Sequence, residues 1–177
     1  MTGMAEVHPL KENRVFFSSE LPEGLKLQLN CILMGQYADA SRGNTPVRLD
    51  PPQMEASLLE IKQCWPEVID PYIALFKFYF RSARFFEAEQ VVWQGMKLLS
   101  GRAGFSHHYM QHQPSACDWL ENDSHQRNFL FCMKALGVIR LRRGKVNAAR
   151  KVLGKLAVLD PHDEIGGGSF LQITQQF

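Results

Sequence analysis

No stretch of this sequence approaches the roughly 18 consecutive apolar residues needed to cross a bilayer. Its start, MTGMAEVHPLKENRVFFSSE, has no continuous apolar run of signal-peptide type. The expectation is a cytoplasmic chain with no membrane partner. Cysteine is sparse: Cys31, Cys64, Cys117 and Cys132 are widely spaced with no Cys-x-x-Cys pair, in a chain large enough to dispense with disulfides. Reduced thiols follow. Charge of one sign is nearly balanced, with 20 Lys and Arg against 18 Asp and Glu. The net +2 is too small to imply nucleic acid on its own, and no nucleic-acid motif accompanies it. Nor is there a glycine-rich phosphate loop, because EIGGGSF follows a helix pattern and reads as a hinge before a last short helix ending at Phe177. No Cys or His sits in an activated nucleophile arrangement. The expectation is a non-enzymatic protein with no catalytic residues, no cofactor and no metal.

What is present is helical periodicity, in a chain of 177 residues with 45% apolar content, enough for one domain with a real core. Runs alternating apolar and polar residues between hairpin turns are nearly absent, so the fold class expected is all-α. Residues 1–20 show no sustained period and read as an N-terminal tail, pinned by Val15, Phe16 and Phe17. From Pro22, Leu25, Leu29, Ile32 and Leu33 follow three-and-four spacing on a first helix, which SRGNTPVRLDPP ends. Asp50 is a candidate N-cap with Pro51 behind it, and Met54, Leu58, Leu59 and Ile61 carry the next stripe to Trp65-Pro66. Asp70-Pro71 opens a helical hairpin with its turn near Ser82 to Arg84. Ile73, Leu75, Phe76 and Tyr79 lie on its first helix, and Phe85, Ala88, Val92 and Met96 on its second. ALGVIRLRRGKVNAARKVLGKLAVLDP, residues 135–161, repeats that layout: Leu136 and Gly137, the turn at Gly144, then Ala149, Leu153 and Leu156, and a closing Asp160-Pro161.

The second hairpin resembles a tetratricopeptide repeat (TPR). Leu136-Gly137 stand where that family has Leu-Gly, Gly144 ends the first helix, Ala149 is the small residue at the crossing, and Pro161 follows the second helix. Leu153 takes the family's aromatic position, Arg140 its Tyr, and Leu156 its later Ala. Aligned on Ala88, the first hairpin puts Tyr72 at the family's Trp, Leu75 at its Leu, Tyr79 at its Tyr and Val92 at its aromatic, with Phe76 in place of the Gly. The resemblance covers residues 52–161 and implies TPR-like hairpins in a short right-handed solenoid, one domain over residues 21–177. Ala88 and Ala149 are 61 positions apart rather than the family's period of about 34, so an insert of about residues 100–126 separates the hairpins.

That insert, GRAGFSHHYMQHQPSACDWLENDSHQ, holds His107, His108, His112 and His125 with Cys117 and Asp118. Imidazole and thiolate suit zinc or another transition metal. Although His108 and His112 can share a helix face, no paired motif completes four ligands. The insert reads instead as a polar loop contacting a partner protein, with Tyr109 and Trp119 as anchors. The aromatic run Phe76, Phe78, Tyr79, Phe80, Phe85 and Phe86 sits at helical spacing and reads as core rather than as a stacking platform for bases.

Seven cations, Arg140, Arg142, Arg143, Lys145, Arg150, Lys151 and Lys155, flank Gly144 between the apolar positions. Most read as a solvated face. In this repeat family the first helix of each hairpin lines the binding groove, which implies a partner-contacting role for Lys77, Arg81, Lys134 and Arg142, with an acidic protein surface opposite. Arg81 and Arg142 occupy the same repeat position. RSARFFEAEQVVWQG and VLDPHDEIGG further resemble small TPR-type accessory proteins found with bacterial nitrogen-fixation genes. That resemblance implies a non-enzymatic factor docking on the molybdenum-iron protein of nitrogenase in its assembly, maintenance or repair. The repeats are also similar to class II type III secretion chaperones, which hold translocators in a helical groove and usually lack a large insert. A metal- or thiol-dependent site in the His-rich insert is the further alternative.

Overall fold

A computed structural model gives the architecture for residues 17–18, 20–33, 36–38 and 46–176, without the side chains of residues 33, 36–38 and 46–48. Val15, Phe16, the Leu33 side chain and Phe177 therefore lie outside the described residues. Among the described residues seven α-helices follow one another: α1 (Glu23–Leu33), α2 (Pro51–Cys64), α3 (Asp70–Arg81), α4 (Phe85–Ala103), α5 (His125–Arg142), α6 (Val146–Leu159) and α7 (Gly168–Thr174). Each packs on the next. One departure from the all-α expectation lies between α1 and α2, where β1 (Gln36–Ala38) and β2 (Pro46–Arg48) form an antiparallel ribbon with Tyr37 opposite Val47. Strands of three residues are too short to leave an alternating pattern in the sequence.

Local chemistry sets the helix ends. Asp50 accepts from the Gln53 backbone N–H at 2.8 Å while the Gln53 side chain accepts from the Asp50 N–H at 3.1 Å, a reciprocal capping box ahead of Pro51. The α2 helix stops at Trp65-Pro66, as Pro66 requires. Asp70 departs from the capping role its Asp-Pro context suggests. It lies inside α3, 4% exposed, and accepts from the backbone N–H groups of Phe17 (2.6 Å) and Ser18 (3.1 Å) and from the Ser18 hydroxyl. These bonds and the Phe17 ring, 4.4 Å from that of Phe131, hold the described end of the expected tail against α3 and α5. Asp160, just past α6, accepts from the N–H groups of Glu164 and Ile165 and turns the chain into α7.

The two hairpins repeat atom for atom at their turns. Ser82, Ala83 and Arg84 donate to the carbonyls of Phe78, Phe80 and Tyr79; Arg143, Gly144 and Lys145, each 61 positions later, donate to those of Ile139, Leu141 and Arg140. Both turns need a left-handed residue, Ala83 at φ 55° and Gly144 at φ 71°. Most of the expected apolar positions are buried: Leu25, Leu29 and Ile32; Leu58 and Ile61; Ile73, Leu75, Phe76 and Tyr79; Ala88, Val92 and Met96; Leu136, Ala149, Leu153 and Leu156; Met54, Leu59 and Phe85 are half-buried against them. Helices α5 and α6 cross most closely at Gly137, where a Cβ would lie 2.5 Å from Leu153 Cγ.

A Cβ at position 144 would meet nothing within 4 Å, so replacing Gly144 tests the backbone alone. Gly144→Ala is expected to lower stability in urea by about 1 kcal/mol, and Ala83→Gly to raise it by a similar or smaller amount, since only the left-handed conformation is penalised. Equal midpoints for all three proteins in chemical denaturation would refute the common turn.

Candidate protein-binding face

Helical spacing puts Asp70, Lys77 and Arg81 on one stripe of α3, at i, i+7 and i+11. Phe131, Val138 and Arg142 form the corresponding stripe of α5, each 61 positions later. The helices approach through Phe76 and Phe131, whose ring centroids lie 6.3 Å apart. The Lys77 ammonium lies 5.5 Å from the centre of the Phe17 ring. Burial pulls its pKa below the ordinary lysine value, Arg81 adds in the same direction, and Asp70 opposes. Arg81 and Arg142 are exposed at the C-terminal ends of their stripes, and among the described residues neither pairs with a carboxylate. The Arg142 guanidinium lies 5.4 Å from the centre of the Phe85 ring. Of the four cations singled out in the sequence, Lys134 is the most committed internally. Its ammonium donates to the Ile165 carbonyl at 2.7 Å and sits 5.9 Å from the centre of the Phe131 ring.

Other cations of the basic run serve the fold. Arg140 donates to Glu89 at 3.1 Å and to the Tyr109 hydroxyl at 3.2 Å, and Arg143 bonds the other Glu89 oxygen. Glu89 is 9% exposed, so both guanidinium groups compensate a buried carboxylate. Arg150 reaches the Thr174 carbonyl and ties α6 to α7. The parallel cluster on the preceding hairpin is Glu55, which accepts from Tyr79 at 2.9 Å and Arg84 at 2.6 Å. Arg84 holds the Glu55 carboxyl below its usual range, and burial with the Glu55 hydrogen bond pushes the Tyr79 hydroxyl up to about 12.

The insert is where the structure corrects the sequence reading most. Helix α4 runs to Ala103 and α5 starts at His125, so the connection is residues 104–124, with short 3₁₀ turns at Tyr109–Gln111 and Pro114–Ala116. Tyr109 and Trp119 are not presented to a partner: they are 9% and 3% exposed and belong to the core. Tyr109 stacks on Trp93 at 6.0 Å, and Trp119 packs on Phe105 at 5.4 Å while its indole N–H donates to the Gln113 carbonyl at 2.9 Å. Aromatic residues in a polar loop fold back because their apolar area outweighs the polar neighbours, whose side chains turn outward.

The histidines do not converge. His107 and His108 stack on each other at 4.2 Å, whereas His112 is 6% exposed among Phe105, Trp119 and Phe129, at 4.9, 4.9 and 5.4 Å. Among the described residues no three His, Cys, Asp or Glu side chains are placed to hold a metal ion. The Cys117 thiol is pushed up by burial and by Asp118, which makes it a poorer nucleophile, and full burial pushes Cys132 up to about 12. A cleft of about 230 Å³ opens beside Ser18, lined among others by Glu20, Glu67, Arg102, Asp123 and His125, a mixture of signs that selects no ligand charge.

Among the described residues no helix is long and apolar enough to cross a membrane. Compared with family models, curated proteins and solved structures, the chain matches none of them. Sequence reasoning missed Asp70, Phe131 and Glu89. The first two are repeat-equivalent, and the 61-residue register carried back to the first residue of α3 and the second turn of α5 would have paired them.

His112 supplies a test of the insert's packing. Its Nε2 is buried and has no hydrogen-bond partner among the described residues, and burial depresses its pKa, with the Ser106 backbone opposing and Lys155 adding to the effect. An unfolded imidazole titrates near 6.5. As pH falls through that value the unfolded chain takes up a proton that the folded chain refuses, so this contribution to stability is present above it and lost below it. His112→Phe keeps the aromatic packing and removes the proton site. Its urea midpoint should fall less than the wild type's between about pH 7 and pH 5; parallel curves would refute the assignment.

Proposed function

We propose that this chain is a non-enzymatic, protein-binding accessory factor, a TPR-like helical solenoid that presents the first helix of each hairpin to an acidic partner. The observation that carries this reading is the 61-residue register of turns and stripes, which sets Arg81 and Arg142 in the same place on successive hairpins. A second register supports it. Tyr79 and Arg140 each reach back from a first helix to a carboxylate on the helix before, Glu55 and Glu89, which are 34 positions apart, the period of the repeat family. The insert between α4 and α5 accounts for the difference between the two spacings.

The proposed partner is the molybdenum-iron protein of nitrogenase, bound during its assembly, maintenance or repair. Support for that choice is the resemblance of RSARFFEAEQVVWQG and VLDPHDEIGG to TPR-type accessory proteins of nitrogen-fixation gene clusters. Purifying the tagged chain from its native host under nitrogen-fixing conditions is expected to recover the molybdenum-iron protein with it. Recovery of a secreted translocator instead would favour a type III secretion chaperone, and recovery alone with stoichiometric zinc would favour a metal site. Arg81→Glu with Arg142→Glu should lower the recovered partner about tenfold and flatten its dependence on salt, because each charge steers the encounter. Unchanged recovery and salt dependence would rule out this face.

A further inference from the structure

The face formed by α3 and α5 already holds a peptide segment, and that segment belongs to the chain itself. Asp70 and Phe131, equivalent positions of the two hairpins, are both engaged by Phe17–Ser18. The Asp70 carboxylate takes both backbone N–H groups and the Ser18 hydroxyl, while Phe131 and the Lys77 ammonium take the Phe17 ring. Much of this recognition is of the main chain, a ring and a small hydroxyl, which another polypeptide can supply equally well. Both backbone N–H groups bond Asp70 at the first residue of α3, and the Phe17 ring reaches along the same stripe to Lys77, one helical turn before the exposed Arg81.

We propose that Phe17–Ser18 is a built-in occupant of the partner-binding face. The partner's docking element is an extended segment with an aromatic residue followed by a small hydroxyl residue and with acidic residues beside the aromatic, within reach of Arg81 and Arg142. This inference rests on the protein-binding reading above and deepens it. Binding exchanges an intramolecular contact for an intermolecular one of the same chemistry. The internal segment therefore sets a threshold: weak or non-matching segments fail to displace it, and a matching acidic segment gains from Arg81 and Arg142, which among the described residues pair with no carboxylate.

The test uses the full-length protein and two labelled synthetic peptides, VFFSSELP (the chain's own residues 15–22) and DDEVFFSSELP, with binding followed by fluorescence anisotropy. Phe17→Ala with Ser18→Ala weakens the internal competitor by removing its ring and hydroxyl while leaving its backbone N–H groups, and this double variant should bind VFFSSELP about tenfold more tightly than the wild type. The acidic extension should tighten binding further, an advantage lost at high salt and in Arg81→Glu with Arg142→Glu. Adding Asp70→Asn to the double variant should abolish the gain. Lys77→Met, which keeps the length of the stem that packs on the ring, is a second check should Asp70→Asn fail to fold by circular dichroism. Equal affinity of the wild type and the double variant, or no binding to either, would overturn the exchange. The two readings fail separately. Peptide exchange without any copurifying protein would refute the proposed function alone, whereas copurification that responds to Arg81 and Arg142, with no peptide exchange, would refute the built-in occupant alone.

Discussion

The arrangement of α5, α6 and α7 depends on one close contact, Leu153 seated where Gly137 has no side chain. With a Cβ only 2.5 Å from Leu153 Cγ, any larger residue at 137 forces Leu153 or the helices themselves to shift. The consequence extends past the hairpin, because Leu156, one turn further along α6, lies equally close to the position a Cβ would take at Gly167, just ahead of α7. A shift at the first contact would therefore move the second. In the preceding hairpin the equivalent pair is Phe76 with Val92, large and small exchanged between the helices. Phe76 also reaches Phe131 and joins the two hairpins, which a glycine there does not do. That exchange gives a physical account of why Phe76 stands where the second hairpin has Gly137.

Once the hairpins share a turn, their charges fall into register without further design. A left-handed residue at 83 and at 144 ends each first helix at the same point relative to its buried stripe, so Arg81 and Arg142 emerge alike. The same register carries Tyr79 and Arg140 to carboxylates on the helix before, one through a neutral donor and the other as part of a buried ion pair. Arg140 and Arg143 are consequently fastening residues. The basic run that looks uniform in the sequence thus contains cations that neutralise Glu89, cations that cap or bridge backbone, and a remainder at the surface.

Much of the architecture was legible before any coordinates. Helical spacing located α1 to α6, Asp50-Pro51 and Gly144 marked ends, and Ala88 with Ala149 gave the register. The site was legible only in part. Arg81 and Arg142 could be paired by alignment, but nothing local marked Asp70 as the anchor of a segment more than fifty residues earlier. Tyr109 and Trp119 were misread for a related reason. Their neighbours are polar, and a one-dimensional pattern does not show that Phe105, Phe129 and Trp93 wait to receive them.

The sequence by itself determined the helices, their caps and the repeat, because capping bonds, left-handed turns and apolar periodicity act over a few neighbouring residues. Only the tertiary structure decided which charges are spent inside, where the insert folds, and that Phe17 and Ser18 lie on α3 and α5. Those outcomes turn on contacts between segments dozens of residues apart, where burial of a ring or a carboxylate depends on what the rest of the chain brings against it.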